Sequence, residues 1–291
     1  MKVIKSFGRI KWARSARAWD ESEINFEIWY KYCTIKSRFY NSRRCVMARW
    51  LSLVVMVFFF GIVGASAEKA LQTDVFKTEG GDLGVTCVGH GTLIFTYGGK
   101  VIHVDPWSKL SDYSKLPKAD LIVLTHEHQD HLDADALSKV RTDKTVVVLP
   151  EICSSKVQGG LVMHNGDVKT VGDIKIEAVP AYNLMHMREP GKPFHPKGIG
   201  NGYVFAFGNK RVYVAGDTEN VPEMKNMGPI DIAFLPMNLP YTMTPEMVVD
   251  AAKMIKPKVL YPYHTGETDI SKFTGLMKDV DGIEVRVRDM K

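Results

Sequence analysis

The amino-acid sequence predicts a single layered α/β domain over residues 68–291, with strands in both halves. Short apolar runs with many Val, Ile, Tyr and Phe residues recur there and are separated by Gly, Asp and Asn, a pattern typical of buried strands. Helical patterns are fewer, and neither a repeat nor a linker interrupts the region. The chain of 291 residues is 45% hydrophobic and 24% charged, which is a globular composition.

The predicted strands follow one another along the whole domain. They are Leu83–Val88, Thr92–Tyr97, Val101–Val104, Leu121–Leu124, Thr145–Leu149, Ile174–Val179, Gly202–Phe207, Arg211–Ala215, Ile232–Leu235, Val259–Tyr261 and Ile283–Val287. Two glycine-containing pairs, Gly98-Gly99 and Gly208-Asn209, predict hairpin turns between neighbouring strands.

Three segments predict helices: Ala134–Lys139, Pro245–Ile255 and Ile270–Lys278. Thr244 is the expected N-cap of the second helix. Apolar residues recur at helical spacing in that helix, which indicates a face packed in the core.

Positive charge is concentrated near the amino terminus. Residues 1–46 contain 11 Lys or Arg and 4 Asp or Glu, a local net charge of +7 against +5 for the whole chain. The remainder is therefore slightly acidic and lacks the basic footprint of a nucleic-acid-binding surface, so we expect no nucleic-acid partner.

A secretory signal peptide is predicted over residues 47–67. Met47 opens a short basic start, Leu51–Val63 is an apolar run, and Ala65-Ser66-Ala67 is a small-residue cleavage site. We expect cleavage and export to the periplasm. The alternative is an uncleaved membrane anchor, although the run is shorter than the roughly 20 residues of a spanning helix. Residues 1–46 are then a basic N-terminal extension, either upstream of a true start at Met47 or a basic tail.

Four cysteines are too few for a disulfide-stapled miniature protein or a Cys-rich zinc module. Cys87 and Cys153 fall inside the predicted domain. They form either a disulfide in an oxidising compartment or two buried thiols.

Three histidines and an aspartate lie together at the end of one predicted strand. The apolar run 119–125 leads directly into His126, His128, Asp130 and His131. Residues two apart on an extended chain point the same way, so that His126 and His128 can bind one metal ion together. Asp130 and His131 follow where the chain turns, and they can face a second ion beside the first.

Two ions need more ligands than this segment supplies. Asp217 and His264 each come directly after another predicted strand. A carboxylate in such a place can bridge two cations about 3.5–4 Å apart, as two-metal hydrolases require. We therefore predict two divalent ions, with zinc favoured by the imidazole and carboxylate ligands and with manganese or iron as alternatives.

The motifs resemble those of the metallo-β-lactamase-fold hydrolases: H-x-H-x-D-H at residues 126–131, G-D-T at 216–218 and a strand-end His at 264. Segments 89–91, 104–107, 181–183 and 241–243 are similar to the branch that includes L-ascorbate-6-phosphate lactonase. The resemblance covers about residues 84–264. It implies an αββα four-layer sandwich with the metals at one edge between two sheets.

By this resemblance, one ion is held by three His, the other by one Asp and two His, and an Asp bridges them. His126 and His128 belong to the first ion, Asp130, His131 and His264 to the second, and Asp217 is the bridge. The third His of the first ion is His195 in Phe194-His195-Pro196 or, less favoured, His186. Many relatives carry it in a Pro-Ala-x-His segment, where this chain has Asn183.

Several further polar residues are expected near the metals. Asp105 is expected to accept a hydrogen bond from a ligand His and so fix its tautomer. His90 either does the same, contacts the substrate or packs in the core, and Asn183 is expected to shape the substrate pocket. His103 and His164 stand in no motif and are expected to be structural.

The predicted activity is hydrolysis of a small-molecule lactone, ester or phosphodiester by a hydroxide held between two metals, with Asp130 and Asp217 as the catalytic carboxylates. No Ser stands in a G-x-S-x-G context. The alternatives are a nuclease of the same superfamily, which the acidic net charge disfavours, and a non-catalytic metal-binding module. A true β-lactamase is disfavoured because those enzymes lack a bridging Asp at the position of Asp217.

Overall fold

The computed structural model describes residues 71–291. The predicted N-terminal extension (1–46) and signal peptide (47–67) lie outside the described residues and stay predictions. Within the described part, no helix is long and apolar enough to cross a membrane.

Strands dominate the described chain. In chain order they are β1 (Gln72–Thr78), β2 (Gly81–Gly89), β3 (Thr92–Tyr97), β4 (Lys100–Val104), β5 (Leu121–Val123), β6 (Val146–Leu149), β7 (Leu161–Val162), β8 (Val168–Val171), β9 (Ile174–Ala181), β10 (Met187–Glu189), β11 (Lys192–Pro193), β12 (Gly200–Phe207), β13 (Lys210–Val214), β14 (Ile232–Pro236), β15 (Val259–Tyr263) and β16 (Glu284–Val285). The α-helices are α1 (Ala134–Val140), α2 (Pro245–Ile255) and α3 (Ile270–Met277), and short 3-10 helices span Glu151–Cys153 and Pro222–Asn226.

Two seven-stranded sheets and one small hairpin organise these strands. The first sheet has the order β1-β2-β3-β4-β5-β6-β7, and the second has the order β16-β15-β14-β13-β12-β9-β8. In each sheet an antiparallel half precedes a parallel half, which runs from β4 to β7 in one and from β13 to β16 in the other. Strands β10 and β11 form a separate hairpin. Functional residues are expected outside the carboxyl ends of parallel strands.

Aromatic side chains fill the space between the two sheets. Phe95 from the first sheet packs edge-on against Phe205 and Phe207 from the second, with ring centroids 5.6 and 5.5 Å apart. Phe234 stacks on Tyr261 in the same layer, with ring centroids 4.7 Å apart. This apolar layer, buried on both sides, holds the two sheets face to face because the hydrophobic effect scales with the apolar area removed from water.

The helices cover the outer faces of the sheets. Helix α1 buries Ala136, Leu137 and Val140 against the outer side of β5 and β6. Thr244 is the N-cap of helix α2, and its hydroxyl accepts a hydrogen bond from the Met247 amide at 3.2 Å. It packs with α3 on the outer side of the second sheet. The architecture is therefore the αββα sandwich that the resemblance implied.

Segments rich in buried residues match the predicted elements closely. Thr92–Tyr97 and Pro245–Ile255 have the predicted bounds, and the predicted turns at 98–99 and 208–209 join β3 to β4 and β12 to β13. Three carboxyl ends were predicted too far along: Leu124, Ala215 and Lys278 lie just beyond β5, β13 and α3.

Elements on exposed edges were missed or misjudged. Strands β1, β8 and β10 carry mostly exposed polar residues, so their sequences lack a buried apolar run. The last strand was predicted as Ile283–Val287, but only Glu284–Val285 has ladder geometry at the end of the second sheet.

Cys87 and Cys153 are both free thiols, so the disulfide alternative is wrong for these two residues. Both are buried, and burial raises the pKa of each thiol to about 12. They are inert core residues under ordinary conditions.

Candidate metal centre

The predicted site residues converge outside the carboxyl ends of the parallel strands. Asp105 follows β4, and the segment from His126 to His131 follows β5 in the first sheet. Asp217 follows β13 and His264 follows β15 in the second sheet. The site therefore lies where the edges of both sheets meet, as the resemblance implied.

Backbone strain is concentrated at this edge. Among residues 71–291, four non-glycine residues have positive φ, and three of them are site residues: His90 (47°), Asp105 (45°) and His264 (48°). The left-handed region costs roughly 1 kcal/mol or more for a residue with a Cβ atom. The surrounding fold therefore holds these three side chains in directions that a relaxed strand end would not give.

The first group of potential ligands contains His126, His128 and His195. His126 Nε2 lies 3.0 Å from His128 Nδ1. One oxygen of Asp217, Oδ2, lies 3.8 Å from His126 Nε2 and 3.3 Å from His195 Nε2. Of the two candidates for the third His, the structure therefore brings His195 to this group.

The second group contains Asp130, His131 and His264, together with His90. The other oxygen of Asp217, Oδ1, lies 3.4 Å from His131 Nε2 and 3.5 Å from His264 Nε2. Asp130 Oδ2 lies 3.6 Å from the same His264 atom. Each oxygen of Asp217 thus faces a different set of side chains, which is the arrangement expected of a bridging carboxylate.

Several of these inward-facing atoms have no hydrogen-bond partner although they are buried. They are His131 Nε2, His195 Nε2, His264 Nε2 and Asp217 Oδ1. Buried polar atoms without partners are costly, so such a cluster indicates a missing ligand. Ligand atoms about 2.1 Å from a tetrahedral zinc ion lie roughly 3.4 Å from one another, which fits the separations of 3.3–3.8 Å around Asp217. The residues present therefore fit a divalent metal.

The two carboxylates of the centre are ionised at neutral pH. Burial would raise the pKa of Asp217, but charge interactions with His264 and His131 outweigh burial and hold that pKa well below its usual range. Burial also opposes ionisation of Asp130, but the imidazoles of His264 and His90, whose Nε2 atoms lie 3.6 and 3.0 Å from its Oδ2, keep its pKa below the usual range. Both are thus ready to bind a cation without first losing a proton.

The imidazoles differ in their protonation. Burial and the neighbouring His131 hold the pKa of His126 well below its usual value, so His126 is neutral. Burial also lowers the pKa of His131, but Asp217 and Asp105 outweigh it and raise that pKa to about 9. The metal-free centre therefore carries a proton on His131 at neutral pH.

Asp105 orients two of the imidazoles from behind. Its Oδ2 lies 2.8 Å from His131 Nδ1 and accepts the hydroxyl hydrogen of Thr125 at 2.6 Å. The Thr125 hydroxyl can then accept from His126 Nδ1 at 3.0 Å. Because Nδ1 holds its hydrogen in these contacts, each ring in its neutral form presents the Nε2 lone pair to the centre. This is the arrangement predicted for Asp105.

Asn183 orients His195 in the same way. Its Oδ1 accepts from the backbone amide and from Nδ1 of His195, both at 2.8 Å. Asn183 thus holds the His195 ring with Nε2 directed toward Asp217, 3.3 Å from its Oδ2. It was predicted to shape the pocket, and the structure adds this contact with His195.

Glu219 is a site residue that sequence reasoning missed. This fully buried carboxylate accepts from the backbone amides of Leu184, Met185 and His186 at 2.7–2.8 Å. It also accepts from the Asn183 amide group at 3.1 Å. Burial opposes its ionisation, but these donors hold its pKa below the usual value. The one clue to Glu219 in the sequence was its position two residues after the predicted ligand Asp217.

His90 and Asn238 complete the second group. His90 Nε2 lies 3.0 Å from Asp130 Oδ2, and its ring lies over the His264 ring with centroids 3.7 Å apart. The side-chain amide of Asn238, which follows β14 and was also missed, lies 3.2 Å from His264 Nδ1. Of the alternatives predicted for His90, the structure favours contact with the metal ligands.

The remaining histidines lie away from the ligand groups. His186 Nδ1 faces Glu219 at 2.8 Å. His103 is buried against the carbonyl of Pro117, and burial lowers its pKa to about 4. His164 is largely exposed. His103 and His164 therefore lie outside both ligand groups.

A pocket of about 420 Å³ opens over the centre. Its floor includes His128, Asp130, His195, Asp217 and His264. Its walls are formed by His90, Trp107, Gln129, Arg188, Phe194, Asn238 and Tyr241. The volume suits a small molecule.

The fold and the convergent His and Asp residues define a metallo-β-lactamase-type hydrolase, and comparison with known proteins agrees. Residues 84–264 match the family model of the beta-lactamase superfamily domain, and the chain belongs to this superfamily. More narrowly, it belongs to the UPF0173 metal-dependent hydrolase family, since relatives of that name are 32% identical and this chain covers 84% of their length. It is thus a metal-dependent hydrolase.

Two individual relatives illustrate this assignment. A UPF0173 metal-dependent hydrolase from Pelotomaculum thermopropionicum is 29% identical over 70% of this chain and 95% of its own. One from Koribacter versatilis is 32% identical over 63% of this chain and 84% of its own.

Two solved structures extend the comparison. A protein from Parabacteroides distasonis, provisionally named a metal-dependent hydrolase, is 47% identical, with a TM-score of 0.73 over 76% of this chain and all of its own. Igni18, a metallo hydrolase from Ignicoccus hospitalis, is 28% identical, with a TM-score of 0.60 over 71% of this chain and 95% of its own.

Proposed function

We propose that the chain hydrolyses a small-molecule lactone, ester or phosphodiester with two divalent metal ions held at this centre. The observation that carries the proposal is Asp217, whose two oxygens face two separate groups of imidazole nitrogens at 3.3–3.8 Å. Six buried or half-buried donors besides Asp217 complete the two groups: His126, His128, His195, Asp130, His131 and His264. Zinc is the favoured metal for this donor set, and manganese and iron are the alternatives.

Two divalent ions bound there would lower the pKa of a coordinated water and polarise the carbonyl or phosphoryl oxygen under attack. The protein's own residues supply the orientation. Asp105, Thr125 and Asn183 hold the ligand imidazoles in one tautomer. Asp130, whose side chain is one-third exposed at the pocket floor, is placed to orient the attacking water and to accept its proton.

The similarity to the lactonase branch suggests a lactone, while the comparisons support only a metal-dependent hydrolase. A pocket of about 420 Å³ with aromatic walls and one exposed cation suits a small polar molecule better than a nucleic acid. A panel of lactones, esters and phosphodiesters is therefore the appropriate substrate screen.

The metal proposal is tested by elemental analysis of the purified protein and of two histidine variants. We expect about two ions per chain in the wild-type protein. His195→Ala should lose about one ion because it removes a ligand from the first group, whereas His186→Ala should keep both. A chelator should abolish turnover of any substrate found in the screen, and added metal should restore it.

The two histidine variants control for each other, since both change a His in the same loop. Equal loss of metal in both would show that the loop, and not the Nε2 of His195, supports the site. No bound metal in the wild-type protein after reconstitution would overturn the proposal.

Metal binding is expected to release a proton from His131. Its pKa of about 9 lies above neutral pH, so His131 is protonated in the metal-free protein and must become neutral to bind a metal. Protonation of His131 alone should therefore lower the apparent metal affinity about tenfold for each pH unit below about 9. Calorimetry at pH 7.5 in buffers of different ionisation enthalpy measures the number of protons released.

Asp105→Asn is the comparison variant for this measurement. It removes a negative charge that raises the His131 pKa but keeps an oxygen acceptor for Nδ1. The variant should release up to one proton fewer than the wild-type protein. Equal proton release from both proteins would contradict the assignment of this proton to His131.

A further inference from the structure

Arg188 stands out among the residues that line the pocket over the metal centre. It lies in β10, on the hairpin that follows Asn183, and it is the only Lys or Arg that lines this pocket within residues 71–291. Its guanidinium lies 5.4 Å from the ring centroid of Phe194. Arginine over an aromatic face keeps its hydrogen-bond donors free for a ligand.

The charge of Arg188 is not matched by any ion pair within the described part of the chain. The adjacent carboxylate, Glu189, is already bound to Lys192 at 2.7 Å across the hairpin. The carboxylates that line the pocket among residues 71–291 are Asp130 and Asp217, and both belong to the metal centre.

The hairpin that carries Arg188 is fixed to the body of the protein at both ends. Before β10, the buried carboxylate of Glu219 binds three successive backbone amides from Leu184 to His186. After β11, Phe194 packs edge-on against Tyr241 with ring centroids 5.0 Å apart. The side chain of Arg188 is therefore presented from a positioned element rather than from a free loop.

We propose that Arg188 binds an anionic group of the substrate, a carboxylate or a phosphate, at a position away from the bond that is hydrolysed. The guanidinium fork suits both groups because it offers two parallel hydrogen bonds. The aromatic side chains of Trp107, Phe194 and Tyr241 contact the part of the substrate between the anion and the reacting bond. The inference rests on the proposed function, because it takes the metal centre as the place of hydrolysis.

Hydroxamates provide a test that needs no substrate. The hydroxamate group chelates the metals, and the group at the other end of the molecule contacts the pocket wall. The probes are alkyl hydroxamates of matched length that end in a methyl group, a carboxylate or a phosphonate, each at several chain lengths. Their dissociation constants are measured by calorimetry with the metal-loaded protein and with Arg188→Ala, Arg188→Lys and Lys192→Gln. Lys192→Gln removes a cation from the same hairpin but not from the pocket.

For at least one chain length, an anionic probe should bind the wild-type protein about tenfold more tightly than its methyl counterpart. Arg188→Ala should abolish that preference and leave the methyl probe unaffected, whereas Lys192→Gln should keep it. Arg188→Lys should retain part of it, since lysine keeps the charge but not the fork. The terminal group with the larger preference identifies the anion as a carboxylate or a phosphate.

Equal binding of methyl-terminated and anionic probes by the wild-type protein at every length would overturn the role of Arg188 and leave the proposed hydrolase intact. A preference that persists in Arg188→Ala would do the same. Failure of every probe, including the methyl-terminated ones, to bind the metal-loaded protein would show that the bound metal is not open to this pocket, and would overturn the proposed function and this inference with it.

Discussion

Replacing Asp217 by Asn is expected to abolish hydrolysis while the protein still folds. Asn offers one carbonyl oxygen and one amide nitrogen, so it can present an oxygen to only one of the two ligand groups that Asp217 faces. Metal content should fall from about two ions to one or fewer. Loss of the several kcal/mol that metal ions contribute to the transition state corresponds to a decrease in kcat/KM of about 10³-fold or more.

Asp231→Asn is the matched control for this variant. Asp231 immediately precedes β14 and binds the amide of Arg211 and the ammonium group of Lys258. The same chemical change there should leave metal content and turnover unaltered. Folding of both variants is checked by circular dichroism, and a metal-replete, active Asp217→Asn protein would contradict the bridging role.

Six of the seven proposed ligands could be predicted from the sequence because they follow strands with buried carboxyl ends, whereas His195 follows the exposed strand β11. His126 and His264 come after apolar runs that form buried strands in the interior of a sheet. The carboxyl ends of neighbouring parallel strands lie at one edge of the sheet, which brings the residues that follow them together. The positions of these residues at strand ends are therefore enough to predict that they meet at one site. The same argument holds for Asp105, which directly follows β4.

The hairpin formed by β10 and β11 could not be predicted in this way. Its strands are mostly exposed and three of their five residues are charged, so no apolar periodicity marks them. The hairpin is held by contacts with distant parts of the chain. Arg188 therefore looks like an ordinary surface cation in the sequence. Only the folded structure, in which Phe194 packs against Tyr241, shows that the hairpin places Arg188 in the pocket over the metal centre.

Glu219 and Asn238 were missed for a related reason. Buried Glu residues are rare, and a sequence does not show which of its many carboxylates is enclosed. The role of Glu219 depends on a loop 35 residues earlier in the chain, whose amides converge on it. The choice between His186 and His195 depends on the same loop, because Glu219 faces one ring while Asn183 orients the other.

A large loss of stability is therefore expected for Glu219→Gln, a change that hardly alters side-chain volume. Three backbone amides and the Asn183 amide group donate to the two carboxylate oxygens, and Gln replaces one of those acceptors with a donor. At least one buried amide then loses its partner, at a cost of about 2–4 kcal/mol in the free energy of unfolding. Urea denaturation of the metal-free protein measures this cost.

The same substitution should weaken metal binding by about 10- to 100-fold, because Asn183 orients His195 and is itself held by Glu219. Glu223→Gln is the control: that carboxylate lies four residues further on, is 29% exposed and binds Lys197 and Tyr182. It should cost less than about 1 kcal/mol and leave metal affinity unchanged. If Glu219→Gln lost stability but bound metal like the wild-type protein, the connection from Glu219 through Asn183 to His195 would be wrong, and Glu219 would serve only to fold the loop.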